Sequence, residues 1–168
     1  LRANNKQMPQ FLVYARALKN DESAAFMIKE VAYWGSEKEK SKLYEFFLSP
    51  KQYCRVAALS AVSLLGDEEQ EQKAVDLYDQ QPETIRQETL RLVRSINSGR
   101  HTQFLVRAFR TSSSKITREL ALTSLYSYGT DGRRTFEMMR NDLSETEQDR
   151  NLMAQIDAVG ILNQMRSL

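Results

Sequence analysis

Cysteine and histidine are almost missing from this chain, with one of each in 168 residues. With Cys54 alone no internal disulfide can form. With His101 as its only companion, no zinc or haem spacing is possible. Proline and glycine are scarce, three and six residues, which argues against long linkers and disordered tracts. Long apolar runs are absent too. The longest weakly polar stretch, Val56 to Leu65, holds two serines and covers ten residues, while a bilayer span needs about 20. Direct membrane insertion by this segment is therefore not expected, and no signal peptide is legible. There is no Gly-rich phosphate loop and no Gly-x-Ser-x-Gly elbow. His101, beside Gly99 and Arg100, reads as part of a surface turn rather than a catalytic base. No constellation demands an enzyme, and no metal or cofactor is expected. The chain opens at Leu1 rather than Met, so it reads as a piece excised from a longer protein. The expected setting is the cytoplasm, or the soluble part of a membrane-tethered protein.

What is present is ordinary globular composition, 41% hydrophobic and 27% charged, enough for one sizeable core. The net charge of +2 hides a pattern. Residues 1–19 carry four basic and no acidic groups, residues 20–82 are net −5, residues 83–140 net +6 and residues 141–168 net −3. Asymmetry of this size marks an electrostatic surface.

One phrase recurs five times. Its stops are Gly35, Gly66, Asn97, Gly129 and Gly160, spaced 31, 31, 32 and 31 residues apart. Seven residues before each stop sits Ile28, Leu59, Leu90, Leu122 or Met153. Four before sits Val31, Val62, Val93, Leu125 or Ile156, and one before sits Trp34, Leu65, Ile96, Tyr128 or Val159. Steps of three keep these on one helical face. The spacing predicts helices over Glu22–Trp34, Lys51–Leu65, Glu83–Ile96, Lys115–Tyr128 and Glu145–Met165. The last is expected to run on past Gly160. Glycine stops suit left-handed C-terminal caps, with Asn97 as the usual substitute. Ser114 reads as the cap of the fourth helix, and Ser144 with Glu147 as a capping box for the fifth.

Before each of these lies a less regular helix: Gln10–Leu18, Lys40–Leu48, Gln70–Gln80, His101–Phe109 and Arg133–Arg140. Short polar turns such as Thr130-Asp131-Gly132 separate the repeats. Nothing reads as a strand. A constant period near 30 residues points to stacked supersecondary units, each too small to bury its own apolar face.

Paired helices, the 31-residue period and the segments Arg55-Val56-Ala57-Ala58-Leu59, Arg86-Gln87-Glu88-Thr89-Leu90 and Arg118-Glu119-Leu120-Ala121-Leu122 resemble HEAT repeats, in particular the short HEAT-like repeats of phycobilisome lyases. The resemblance implies an all-α fold: a right-handed α-α superhelix, or α-solenoid, of about five helical hairpins in a single domain. The repeats would cover roughly 8–35, 36–66, 67–97, 98–129 and 130–165. It also implies that Arg55, Arg86 and Arg118 tie neighbouring repeats together through an acidic partner near the preceding turn, with Asp79 placed to meet Arg86. Repeat one has Ala24 and repeat five Asp149 where that arginine would stand.

Such arrays bind macromolecules along an extended concave face lined by the second helices. Positions opposite the apolar stripe fall ten, six, three and two residues before each stop. Tyrosine and arginine are favoured interface anchors, which selects Tyr33, Arg91, Arg94 and Tyr126 for a partner-binding surface, joined by Thr123 of the hydroxyl-bearing ridge of repeat four. The expected function is a non-enzymatic protein–protein interaction scaffold. The alternative is nucleic-acid binding, in the manner of HEAT-like DNA glycosylases, through Arg86, Arg91, Arg94, Arg100, Arg107, Arg110, Lys115 and Arg118. An enzyme resembling the phycobilin lyases is a more distant third.

Overall fold

Apolar spacing of three and four resolves into ten α-helices and two short 3₁₀ turns among the described residues, with no strand. The structure is a computed structural model describing residues 9–141 and 147–165. The capping box expected of Ser144 and Glu147 falls outside them. The helices are α1 (Pro9–Ala17), α2 (Asp21–Trp34), α3 (Glu37–Lys40), α4 (Gln52–Leu65), α5 (Glu68–Asp76), α6 (Glu83–Ile96), α7 (Thr102–Thr111), α8 (Lys115–Ser127), α9 (Gly129–Asn141) and α10 (Glu147–Met165). No described helix is long and apolar enough to cross a membrane.

Residue contacts divide the chain into two compact units, one up to Ile96 and one from Asn97 onward. In the first unit α1 packs on α2, α2 on α4, and α4 on α6, with α5 against α4 and α6. In the second, α7 packs on α8, and α8 on both α9 and α10.

The repeated apolar positions form the interiors. Ile28, Val31, Leu59, Val62, Leu90 and Val93 are buried in the first unit, and Leu122, Leu125, Ile156 and Val159 in the second. The position just before the stop departs from expectation in four of the five phrases, Val159 being the buried exception: Trp34 is 62% exposed, and Leu65, Ile96 and Tyr128 are only half-buried. The reason is geometric. Each step of three residues falls about 60° short of a full helical turn. Two such steps carry the stripe about 120° away from its first position.

Three stops adopt the left-handed conformation, Gly66 (φ 64°), Asn97 (φ 54°) and Gly129 (φ 67°), and Gly160 lies inside α10 as expected. Gly35 does not. It is extended, with φ −67° and ψ 151°, and a Cβ there would sit 2.5 Å from the Val31 carbonyl oxygen. Close approach, not handedness, demands glycine at that stop.

The single helix expected over Lys40–Leu48 is broken into α3 and a 3₁₀ turn at Leu43–Phe46. At its start the Glu39 carboxylate accepts from the Ser36 N–H at 3.1 Å and hydroxyl at 3.0 Å. At the break, buried Gln70 of α5 takes up freed backbone groups. Its Nε2 donates to the Lys40 carbonyl at 3.0 Å, and its Oε1 accepts from the Tyr44 N–H at 2.9 Å. A satisfied break costs little, since the penalty falls on buried groups left unpaired.

The turn expected at Thr130-Asp131-Gly132 is helical. It belongs to α9, which begins at Gly129. A Cβ on buried Gly132 would lie 1.9 Å from the Leu125 carbonyl oxygen, so this glycine lets α9 approach α8.

Arg55 and Arg118 reach side chains of the following repeat, while the Arg86 bond stays within its own. Arg55 Nε donates to the Ser49 carbonyl, and its Nη1 to Gln81 Oε1 at 3.1 Å. Arg118 donates to the Ser112 carbonyl at 2.8 Å and to Gln155 Oε1 at 2.9 Å. Arg86 does reach Asp79, through its backbone carbonyl at 2.8 Å. A guanidinium with five fixed donors suits carbonyls left over at the end of the preceding helix.

Candidate functional site

Within the first unit, α2, α4 and α6 pack in series, so equivalent positions of the period follow one another across the three helices. Two residues before each stop these are Tyr33, Leu64 and Ser95, all exposed. Tyr33 is 61% and Leu64 58% accessible. Arg94, on the last turn of α6, is also exposed. Arg91 lies one turn earlier, with its Nη1 donating to the Glu88 carboxylate. Tyr33 and the two arginines stand on α2 and α6, and α4, which carries Leu64, packs against both helices. Sequence reasoning placed Leu64 on this face but passed over it as an anchor, because the selection favoured tyrosine and arginine. Large apolar side chains exposed at successive equivalent positions are the pattern expected of an interaction surface.

In the second unit, Thr123 and Tyr126 lie three residues apart on α8. The Thr123 hydroxyl bonds back to its own helix, to the Glu119 carbonyl at 2.9 Å and the Leu120 carbonyl at 3.0 Å. Its single proton is thus committed, while the oxygen keeps its capacity to accept.

Tyr126 lines a cavity of about 430 Å³ bounded by α8, α9 and α10. Phe136 meets its ring edge-on, with centroids 5.7 Å apart. The Arg133 guanidinium lies 5.0 Å from the ring centroid, a cation–π geometry. Arg140 Nε and Asp157 Oδ1 are 2.7 Å apart on the wall, and Ile156 and Gly160 complete the α10 side.

Tyr126 and Asp157 stand at the same place in the period, three residues before their stops, and the structure brings them to one cavity. Arg133, Phe136 and Arg140 were missed, because α9 was read only for the residues that would anchor a first helix. Their spacing of three and four along one face is the signal that could have found them. The lining contains no histidine, cysteine or serine, so it holds none of the usual nucleophile–base pairs.

The other chemistry-bearing residues are structural. Cys54 is buried on α4. Burial pushes its thiol above the usual range, with Lys51 partly opposing, the reverse of what a reactive cysteine needs. His101 is 5% exposed and sits edge-on to Phe104, with ring centroids 6.3 Å apart. It is a core residue at the start of α7, not the surface-turn residue expected, because its ring completes the apolar packing under that helix. Among the described residues no group of three His, Cys, Asp or Glu side chains is placed to hold a metal ion. No protein-family model matches the chain, and no curated protein matches it significantly.

Proposed function

We propose that each unit is a stack of HEAT-like hairpins whose second-helix face binds another protein, and that the chain acts as an interaction scaffold rather than an enzyme. The 31-residue period, the serial packing of α2, α4 and α6, and the reach of Arg55 and Arg118 into the following repeat support the repeat reading. The observation that carries the functional reading is the pair of large apolar side chains, Tyr33 and Leu64, exposed at equivalent positions with Arg94 beyond them. Hot spots of protein interfaces favour such aromatic and arginine anchors.

The basic cluster considered for nucleic acid is partly committed elsewhere. Arg86 and Arg118 donate to backbone carbonyls, Arg91 pairs with Glu88, and Lys115 lies 3.7 Å from Glu119. That leaves fewer side chains to neutralise phosphates, on which such affinity depends.

The test is site-specific photo-crosslinking in extract of the native cell. A benzophenone side chain replaces Tyr33 or Leu64, or exposed Gln72 of α5 as the control. The expected result is the same protein captured from positions 33 and 64 and not from 72, and release of that protein by Arg94→Glu. Equal capture from position 72, or recovery of nucleic acid that falls steeply with salt, refutes the reading.

A further inference from the structure

A groove of about 550 Å³ runs between α7 and α9 in the second unit. On α7 it is lined by Thr102, Val106 and Arg110, which are four residues apart and so form one edge about 12 Å long. Arg107 stands beside them, and α9 contributes Met138 and Met139. The opposite face of α7 is already used: Phe104, Leu105, Ala108 and Phe109 are buried. The groove side chains of α7 are therefore not needed for the core. Met139 is buried at the base, while Met138 is 57% exposed. Two arginines and no acidic side chain line the groove, and residues 97–140 of this unit carry eight basic and three acidic groups.

We propose that this groove receives an acidic amphipathic helix of a partner protein. Its apolar stripe lies on Val106 and the two methionines, and its carboxylates meet Arg107 and Arg110. Two antiparallel or crossed helices leave between them a slot that a third helix fills by packing ridges into grooves. Methionine adapts to the shape of what it meets. The flanking charge chooses the sign of the partner and excludes basic helices. Both guanidinium groups already interact within the protein. With five N–H donors each, they can hold a neighbour and a carboxylate together. This surface is built from the first helices of two hairpins, so it stands apart from the second-helix face and does not rest on the function proposed for it.

The probe is a displayed library of short helical peptides with a fixed leucine stripe and randomised flanking positions, selected on the whole chain. Selected peptides are expected to carry Asp and Glu on both flanks. Arg107→Glu with Arg110→Glu is expected to weaken the strongest peptide about tenfold or more, and Met138→Asp about tenfold. All three residues are exposed, and unchanged circular dichroism verifies that the variants fold. Tyr33→Ala is expected to leave peptide affinity unchanged, which separates this proposal from the second-helix surface. The proposal is overturned by failure to select any peptide, by selected flanks without acidic excess, or by affinity that groove variants leave intact. Concentration-dependent dimerisation that the arginine reversals abolish overturns it as well, since the occupant is then a second copy of the chain.

Discussion

Gln81 lies where the second and third repeats meet, and replacing it by alanine tests the tie that joins them. The side chain is 4% exposed. Its Oε1 accepts from Arg55 Nη1 at 3.1 Å, and its Nε2 donates to the Phe47 carbonyl at 3.1 Å. Gln81→Ala removes both bonds at once. Loss of a neutral donor to the carbonyl costs about 1 kcal/mol, and loss of an acceptor for a charged guanidinium about 1.5–3 kcal/mol. Arg55 is only half-buried, so water recovers part of the second amount, and about 2–3 kcal/mol is expected in all. For a chain of this length that lowers Tm by about 4–12 °C. Gln81→Glu divides the effect: the carboxylate still accepts from Arg55 but cannot donate to Phe47, and about 1–2 kcal/mol is expected. The assay is urea unfolding followed by circular dichroism, with a double-mutant cycle on Arg55→Met and Gln81→Ala. A coupling of about 1–2 kcal/mol is expected. Gln155→Ala, which removes one bond at a half-buried site, sets the scale at about 1 kcal/mol. A loss below about 0.5 kcal/mol for Gln81→Ala, or additivity within that margin, refutes the reasoning.

Four further outcomes are expected. Leu90→Ala, in the interior of the first unit, lowers unfolding free energy by about 2–5 kcal/mol. Gly132→Ala forces α9 away from α8 and costs about 1–3 kcal/mol or more, seen in the same assay and as faster amide exchange in both helices. Asn97→Ala removes the short polar side chain that tolerates the left-handed conformation and costs about 1–2 kcal/mol, whereas Asn97→Gly is neutral or stabilising. Cys54 titrates higher in the folded chain than its ordinary value of 9.0. Its contribution is therefore complete below that pH and is lost as pH rises through the folded value. Urea midpoints of the native chain are expected to fall more steeply above about pH 9 than those of Cys54→Ala, and parallel curves would contradict this.

The second helices were legible because a residue every third or fourth place announced them, and α6 matches the expected Glu83–Ile96 to the residue. What the sequence concealed were contacts between elements. No local pattern says that Gln70 will reach across to Lys40 and Tyr44, so the break in the second repeat could not be seen. Gly132 looked like a turn because glycine marks turns and close approaches alike, and only the Leu125 carbonyl beside it decides between them. Arg55 and Arg118 do reach the following repeat, but their acceptors there are the amide oxygens of Gln81 and Gln155, where a carboxylate was expected. Tyr126 was chosen from its place in the period. Its cavity depends on α9, whose side chains the period does not describe.

One joint in the second unit bears on how this chain can change in length. A single residue, Tyr128, separates α8 from α9, and Gly132 is pressed against Leu125 just beyond it. An inserted residue there would turn α9 by about 100° about its own axis, bringing a bulky neighbour to the place that only glycine can occupy. The joint between α7 and α8, Ser112 to Ser114, is longer, and Ser113 is exposed. A tag, a fluorophore or a grafted domain belongs at Ser113. The α8–α9 pair has no slack for one.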